Sequence, residues 1–186
     1  MKLILTGGQT VGPYFHVGFD GLNTTDLASG ASGEAIAIAG VVRDGDGAPI
    51  PDAVLEIWQA NAQGRYAHPE DLQNKPLDPG FKGFGRIPTN AQGKFSFRTI
   101  KPGAVPGLDA AKQAPHLNIN LFMRGQLMHL HTRLYFADEQ ANATDPVLVL
   151  IEPKRRPSLM ARKTGPGAYS FDIAMQGEHE TVFFDV

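Results

Sequence analysis

The chain has 186 residues, of which 42% are hydrophobic and none is cysteine, with a formal net charge of -2 at pH 7. This length allows one domain with a substantial core and is too short for two. The missing cysteines exclude disulfides, thiolate metal sites and thiol nucleophiles, and the small net charge argues against a nucleic-acid-binding protein. The first eight residues contain too short an apolar stretch for a signal peptide, and no later stretch reaches membrane-spanning length, so we expect a cytoplasmic protein.

Short apolar runs separated by turn residues predict an all-β domain. The chain has 21 glycines and 14 prolines, and they fall between these runs. We predict an irregular N-terminal arm at residues 1–33 and an antiparallel-rich β-sandwich at residues 34–186. The strands are predicted, in chain order, at residues 35–42, 53–59, 94–100, 117–122, 130–136, 169–175 and 181–186.

Two further segments have other predicted structures. Residues 60–92 carry four prolines and many glycines with little periodicity, which indicates a long connection of the kind that is usually functional or interface-forming. The roles of this loop stay open from sequence. Residues 158–163 follow Pro157 and are predicted to form a short helix.

The segment Pro115–Phe122 alternates polar and apolar residues, so His116 and Asn118 should lie on the same face of a strand. A histidine at both positions would form a strong metal half-site, because two imidazoles so spaced can converge on one ion. An asparagine amide is a weak ligand for a transition metal. The pattern therefore suggests a metal site that has lost one of its imidazoles.

A complete His-x-His pair follows at His129 and His131, and Arg133 should lie on the same face. A cationic guanidinium there would oppose a metal cation, so an interface or structural role competes with metal binding. Tyr66 lies near the start of the long loop, and two interpretations of its role are open. It could supply a phenolate ligand, or it could pin the loop as a half-buried aromatic residue.

Tyr14 and Arg124 are candidates for ligand binding. Tyr14 follows a Gly-Pro turn, and Arg124 stands beside a glycine where a predicted strand ends. An arginine so placed can pair with a carboxylate in a pocket or across an interface. A simple exposed surface charge is the alternative for Arg124, and the sequence alone leaves both open.

Long strings of this chain closely resemble the intradiol ring-cleavage dioxygenase family, and within it the alpha subunits of the protocatechuate 3,4-dioxygenases. The resemblance implies a β-sandwich fold and a paralogous beta subunit that holds non-haem Fe(III) through two tyrosines and a His-x-His pair. It also implies alpha–beta protomers that assemble further. The matching strings are at residues 9–14, 55–60, 77–79, 85–86, 97–103, 115–136 and 176–185.

The resemblance also places this chain on the ligand pattern of the iron-bearing subunit. The four ligand positions fall on Tyr66, Val105, His116 and Asn118, and an arginine expected three residues before the first histidine falls on Gln113. Valine has no donor atom and asparagine is a poor one, so the resemblance implies that this chain binds no metal. It implies no catalytic residue in this chain alone.

The resemblance further implies a role in binding substrate, because the active site in this family lies at the alpha–beta interface. Residues matching the alpha-side pocket are Thr10, Gly12, Pro13, Tyr14 and Arg124. They would bind the carboxylate of the aromatic acid protocatechuate. The implied reaction is intradiol ring cleavage by O2, which yields 3-carboxy-cis,cis-muconate in the beta-ketoadipate pathway, with no nucleic acid or membrane as partner.

Two rival hypotheses remain at this stage. The chain could be a self-sufficient metal oxygenase in which His129 and His131 replace the lost ligands, which predicts stoichiometric metal in the purified chain. It could also be a non-catalytic β-sandwich module that holds an aromatic acid near Tyr14 and Arg124. That module would bind the acid as a monomer or homodimer.

Overall fold

The computed structural model of the protein describes residues 5–107 and 111–185, apart from the side chain of His16. Residues 1–4 of the predicted arm, and residues 108–110 and 186 of the predicted sandwich, lie outside this range. The strands are β1 (Ala35–Arg43), β2 (Val54–Trp58), β3 (Phe84–Pro88), β4 (Lys94–Ile100), β5 (Val105–Pro106), β6 (Lys112–Gln113), β7 (His116–Phe122), β8 (Leu130–Phe136), β9 (Met160–Gly165), β10 (Ala168–Ser170) and β11 (Ile173–Ala174).

The larger sheet runs in the order β11-β1-β10-β9-β8-β7-β2-β3, and β4 pairs with β1. Most pairs are antiparallel, while β1 pairs in parallel with β10 and β11, and β8 pairs in parallel with β9. Strands β5 and β6 form a separate small hairpin. Of the residues that the structure describes, no helix is long and apolar enough to cross a membrane.

Strands β1 and β4 share one hydrophobic core with strands β2 and β7, which confirms the predicted all-β sandwich. Strand β4 alternates exposed and buried residues over most of its length, as a half-buried strand should. Ile38 of β1 and Phe97 of β4 pack in the same buried cluster as Leu55 of β2 and Leu117 of β7. Burial of these side chains from water is the main force that closes the sandwich.

The structure corrects four predictions for the sandwich. The predicted strand at 169–175 is divided into β10 and β11, which both pair in parallel with β1. Strand β3 lies inside the predicted long connection and pairs with β2. The predicted helix at 158–163 is instead a 3-10 turn, Arg156–Leu159, followed by strand β9, because hydrogen bonds from β8 and β10 compete with local helix propensity. In the described part of the predicted strand at 181–186, residues 181–185 show only an isolated bridge, between Phe184 and His131.

The N-terminal arm is more ordered than predicted, because it contains a helix, α1 (Pro13–Phe19), and a 3-10 turn, Asp20–Leu22. Pro13 occupies the first turn of α1, where its missing N–H costs no hydrogen bond. Gly12 caps the helix in an extended conformation and accepts a hydrogen bond from the Phe15 N–H. Asp26 then bridges to Arg98 of β4 and joins the arm to the sandwich.

Candidate functional site

The four ligand-position residues, Tyr66, Val105, His116 and Asn118, form what we call the degenerate cluster. Three of them line a pocket of about 970 Å³, and His116 lies behind it with only 3% of its surface exposed. The complete lining is Trp58, Tyr66, His68, Glu70, Asp71, Leu72, Gln73, Phe84, Val105, Pro106, Asn118, Asn120 and His131.

Tyr66 and Asn118 are bonded to each other. The Asn118 amide Nδ2 donates to the Tyr66 hydroxyl at 3.1 Å and to the Trp58 carbonyl at 3.4 Å. The Tyr66 ring stacks on Trp58, with ring centroids 5.6 Å apart. Burial raises the pKa of the Tyr66 hydroxyl, so this group is a neutral phenol at pH 7.

His116 is also held by its surroundings. Its Nδ1 lies 2.8 Å from the Ala114 carbonyl oxygen, and because a carbonyl only accepts, Nδ1 carries the hydrogen. Burial, followed by the positive charge of Arg133, lowers the pKa of His116 to about 4. The imidazole is therefore neutral at pH 7.

Arg133 brings a positive charge to the degenerate cluster from β8, where it lies opposite Asn118 in the strand register. Its Nη1 donates to the Gln113 side-chain oxygen at 2.6 Å and to the Tyr135 hydroxyl at 3.2 Å. Burial raises the pKa of Tyr135 to about 12, and its hydroxyl donates to the buried Asp145 carboxylate at 3.4 Å. The cationic side chain is thus fixed beside the positions where metal ligands would stand.

These residues do not fit a ferric iron site. Val105 offers no donor atom, Asn118 donates to the hydroxyl that would bind the metal, and Arg133 would repel a cation. Among the described residues, no group of three His, Asp or Glu side chains is arranged to hold a metal ion.

His129 and His131 contact different partners. His131 Nδ1 donates to the Asn120 side-chain oxygen at 2.8 Å, and burial followed by the charge of Arg133 lowers its pKa. The His129 ring stacks on Phe122, with centroids 5.2 Å apart. Both histidines line a second groove, of about 680 Å³, beside the N-terminal arm.

This second groove was not predicted from the sequence. It is mostly apolar and includes Leu127 and Met128, which are strongly exposed in the turn between β7 and β8. Two large apolar residues in a turn were the available signal, since exposed apolar patches mark interaction surfaces. Its lining is Gln9, Val11, Phe122, Met123, Gln126, Leu127, Met128, His129, Leu130, His131, Phe183, Phe184 and Asp185.

The predicted substrate-binding residues lie near this turn, at the surface. Thr10 accepts a hydrogen bond from the Gly125 N–H at 2.8 Å through its hydroxyl. Arg124 is 71% exposed and donates from Nε to the Asp52 carboxylate, which raises the pKa of the guanidinium. Tyr14 is 86% exposed, and neither it nor Arg124 lines either of the two pockets described above.

Gly12 and Pro13 lie between these contacts, at the start of α1. Both residues are exposed. The structure therefore brings Thr10 to the turn that carries Arg124 and presents the following residues on the outside of the molecule.

Comparisons with known proteins match this architecture. A protein-family model described as dioxygenase matches residues 12–177. The chain is 47% identical to the protocatechuate 3,4-dioxygenase alpha chain of Pseudomonas putida, over 97% of this chain and 96% of that one. It is 36% identical to the protocatechuate 3,4-dioxygenase beta chain of Burkholderia cepacia, over 94% of this chain and 77% of that one.

Solved structures agree with these sequence comparisons. The dioxygenase domain of a carbohydrate-binding fusion protein from Streptomyces sp. SirexAA-E superposes with a TM-score of 0.63 at 28% identity, covering 86% of this chain and 89% of that one. Catechol 1,2-dioxygenase from Pseudomonas arvilla C-1 shares the fold, with a TM-score of 0.63 at 21% identity over 82% of this chain and 55% of that one. The chain therefore belongs to the intradiol dioxygenase family and groups within it with the protocatechuate 3,4-dioxygenase alpha chains.

Proposed function

We propose that the chain is the non-iron alpha subunit of a cytoplasmic protocatechuate 3,4-dioxygenase. It pairs with a beta subunit that holds Fe(III), and the complex cleaves protocatechuate with O2 to 3-carboxy-cis,cis-muconate in the beta-ketoadipate pathway. The observation that carries this proposal is the degenerate cluster. In this cluster Asn118 donates to the Tyr66 hydroxyl, His116 bonds to the Ala114 carbonyl, and the Arg133 guanidinium lies nearby. The chain is also similar to alpha chains along almost its whole length.

The chain's own part is to bind and orient the substrate in a pocket shared with the beta subunit. The residues proposed for this part are Thr10, Gly12, Pro13, Tyr14 and Arg124. A tyrosine hydroxyl and a guanidinium form charge-assisted hydrogen bonds with a carboxylate, so Tyr14 and Arg124 suit the acid group of protocatechuate. Their exposure in the single chain supports this assignment, because both remain accessible to a substrate held by the partner.

The arm at residues 1–33 contributes to the subunit interface in this proposal, and residues 34–186 form the dioxygenase-like sandwich. Tyr14, Val17 and Leu22 expose apolar surface on the arm, and Leu127 and Met128 do so on the neighbouring turn. Exposed apolar surface of this kind is typical of a protein that is covered by a partner. The contacts of His129 and His131 give no support to a separate metal oxygenase.

The test is iron content and visible tyrosinate-to-Fe(III) absorption, measured for the chain expressed alone and for the chain co-expressed with its beta partner. We expect colour and protocatechuate turnover only on co-expression, with about one iron for each alpha–beta pair. Stoichiometric iron in the isolated chain would refute the proposal and favour the oxygenase built on His129 and His131. Tight binding of an aromatic acid by a colourless homodimer would favour the binding module.

A further inference from the structure

We infer that Arg86 is a positioning residue for the substrate pocket. Its buried guanidinium holds helix α1 on the sandwich and thereby fixes the Gly12–Pro13–Tyr14 turn that precedes and begins this helix. The inference rests on the proposed function, because that function gives the turn its substrate.

Arg86 carries a charge in an unusually dry position. It lies on β3, its side chain is only 8% exposed, and its Nη1 donates to the Glu56 carboxylate of β2 at 2.5 Å. Its Nε and Nη2 are buried and make no hydrogen bond among the described residues. Since a buried polar group without a partner is costly, another interaction must stabilise this side of the guanidinium.

Two aromatic rings of α1 supply that interaction. The Arg86 Cζ atom lies 4.2 Å from the ring centroid of Phe19 and 5.0 Å from that of Phe15. Cation–π attraction is strongest in such desolvated positions, and a planar guanidinium can face both rings. The Phe15 ring also contacts the Phe122 ring of β7, with centroids 5.2 Å apart.

The helix depends on this contact for its position. Phe15 and Phe19 are four residues apart, so they lie on one face of α1, and Tyr14 and Val17 are exposed to solvent. A helix of seven residues with no side-chain cap is too short to be stable alone. Its docking on Arg86 and Phe122 therefore contributes to its order.

Two anchors thus bracket the proposed substrate-binding turn. The Thr10 hydroxyl bonds to the Gly125 N–H before the turn, and the Phe15 ring packs against Arg86 after it. Loss of the second anchor lets the turn move while the sandwich and the partner's iron stay in place. Because the turn binds and orients substrate, the expected defect is in KM and not in the chemical step.

The experiment compares variants of the chain co-expressed with the beta subunit. For Arg86→Met we expect KM for protocatechuate to rise about tenfold, with kcat changed less than threefold and with unchanged iron content and visible absorption. Arg86→Lys keeps the charge but loses the planar contact with two rings, so its KM should be intermediate. The matched control is Arg98→Met, since Arg98 also contacts the arm, through Asp26, but as an exposed ion pair; its KM should stay within twofold.

Arg86→Met leaves Glu56 unpaired, so a second variant is used in case the first one does not fold. Phe15→Leu/Phe19→Leu leaves the ion pair intact and removes both rings, and it should raise KM in the same way. Faster limited proteolysis of the arm should accompany each rise. An unchanged KM in the iron-loaded Phe15→Leu/Phe19→Leu complex, or a fall in kcat without a rise in KM, would overturn the inference. Failure of the proposed function shows separately, as a wild-type complex that does not turn over protocatechuate.

Discussion

The polar side chains of the degenerate cluster are buried or half-buried, whereas Tyr14 of the N-terminal turn is exposed to solvent. In the cluster, the hydroxyl of Tyr66 and the amide of Asn118 bond to each other. In the N-terminal turn, Tyr14 is almost fully exposed, and in the neighbouring turn between β7 and β8 the exposed Arg124 pairs with the Asp52 carboxylate. Polar groups that bond to each other inside a fold stabilise it, whereas exposed ones remain able to bind a ligand.

Under the proposed function, this difference explains how one chain can lack a metal site and still bind substrate. A metal site needs several donors of the right type at one place, so the loss of two donors removes it completely. A binding surface needs only that exposed groups be held in a suitable position. The hydrogen bond between Thr10 and Gly125 supplies part of that positioning.

The largest effect is expected from replacing Asp145, which lies next to the degenerate cluster and bonds to Ala114 and Tyr135. Its buried carboxylate accepts N–H bonds from Ala114, Val147 and Leu148 and the hydroxyl of Tyr135. Asp145→Ala should lower the free energy of unfolding by about 4 kcal/mol, because these buried donors lose their acceptor.

Urea denaturation, followed by fluorescence of the single tryptophan, would measure this loss. Asp46→Ala is the control, since Asp46 is exposed, and it should change the unfolding free energy by less than about 0.5 kcal/mol. A loss below about 1 kcal/mol in Asp145→Ala would show that these buried hydrogen bonds contribute little to the stability of the fold.

The buried His116 should make the stability of the fold depend on pH. Its pKa is about 4 in the folded chain and about 6.5 when unfolded, so the unfolded chain binds more protons between these values. Stability should therefore fall as pH drops from about 6.5 to 4, by about 3 kcal/mol at most from this group.

The free energy of unfolding measured at several pH values would show this dependence. His116→Asn should flatten the slope, while His179→Asn, at an exposed position, should preserve it. Equal slopes in the wild type and His116→Asn would show that His116 is not buried as a neutral base.

Arg124 tests the binding role of the exposed region. In the complex with the beta subunit, Arg124→Met should lower kcat/KM for protocatechuate about tenfold, mainly through KM, because a charge-assisted contact with the carboxylate is lost. Steady-state kinetics measure the effect, and Arg162→Met serves as an exposed control. An unchanged KM would assign Arg124 to a surface ion pair alone.

Asp52 should give the smallest effect, and in the opposite direction. Its carboxylate pairs with Arg124, so Asp52→Asn should free the guanidinium for substrate and lower KM about twofold. The same kinetics at low and high salt measure this change, with Asp46→Asn as control. A rise in KM would indicate that Asp52 holds Arg124 in its productive position.

The alternation of polar and apolar residues was sufficient to predict strands whose side chains are alternately exposed and buried. The strands at 94–100 and 130–136 were predicted with the bounds that the structure shows. Strand β3 was missed because its five residues include a glycine and a proline, which read as a loop. Helix α1 was missed because it is short and has no side-chain cap, and docking on Arg86 and Phe122 contributes to its stability.

The candidate site was likewise predicted only in part from the sequence. The two-residue period of the sequence predicted that His116 and Asn118 lie on one strand face, whereas Val105 was identified as a ligand position only by the resemblance to the family. The sequence did not show that Arg133 bonds to Gln113, or that Arg124 pairs with Asp52, since each pair is brought together by strands or turns distant in sequence. Arg86 gave no signal, because its aromatic partners come from the arm.

The sequence by itself determined the all-β class and most strand positions, because these depend on side-chain chemistry and a two-residue period. Only the tertiary structure decided which polar groups bond to each other and which stay exposed. That outcome depends on contacts between residues far apart in the chain, such as Arg86 with Phe19 and Thr10 with Gly125. The packing of the sandwich and the arm creates those contacts, and no local pattern encodes them.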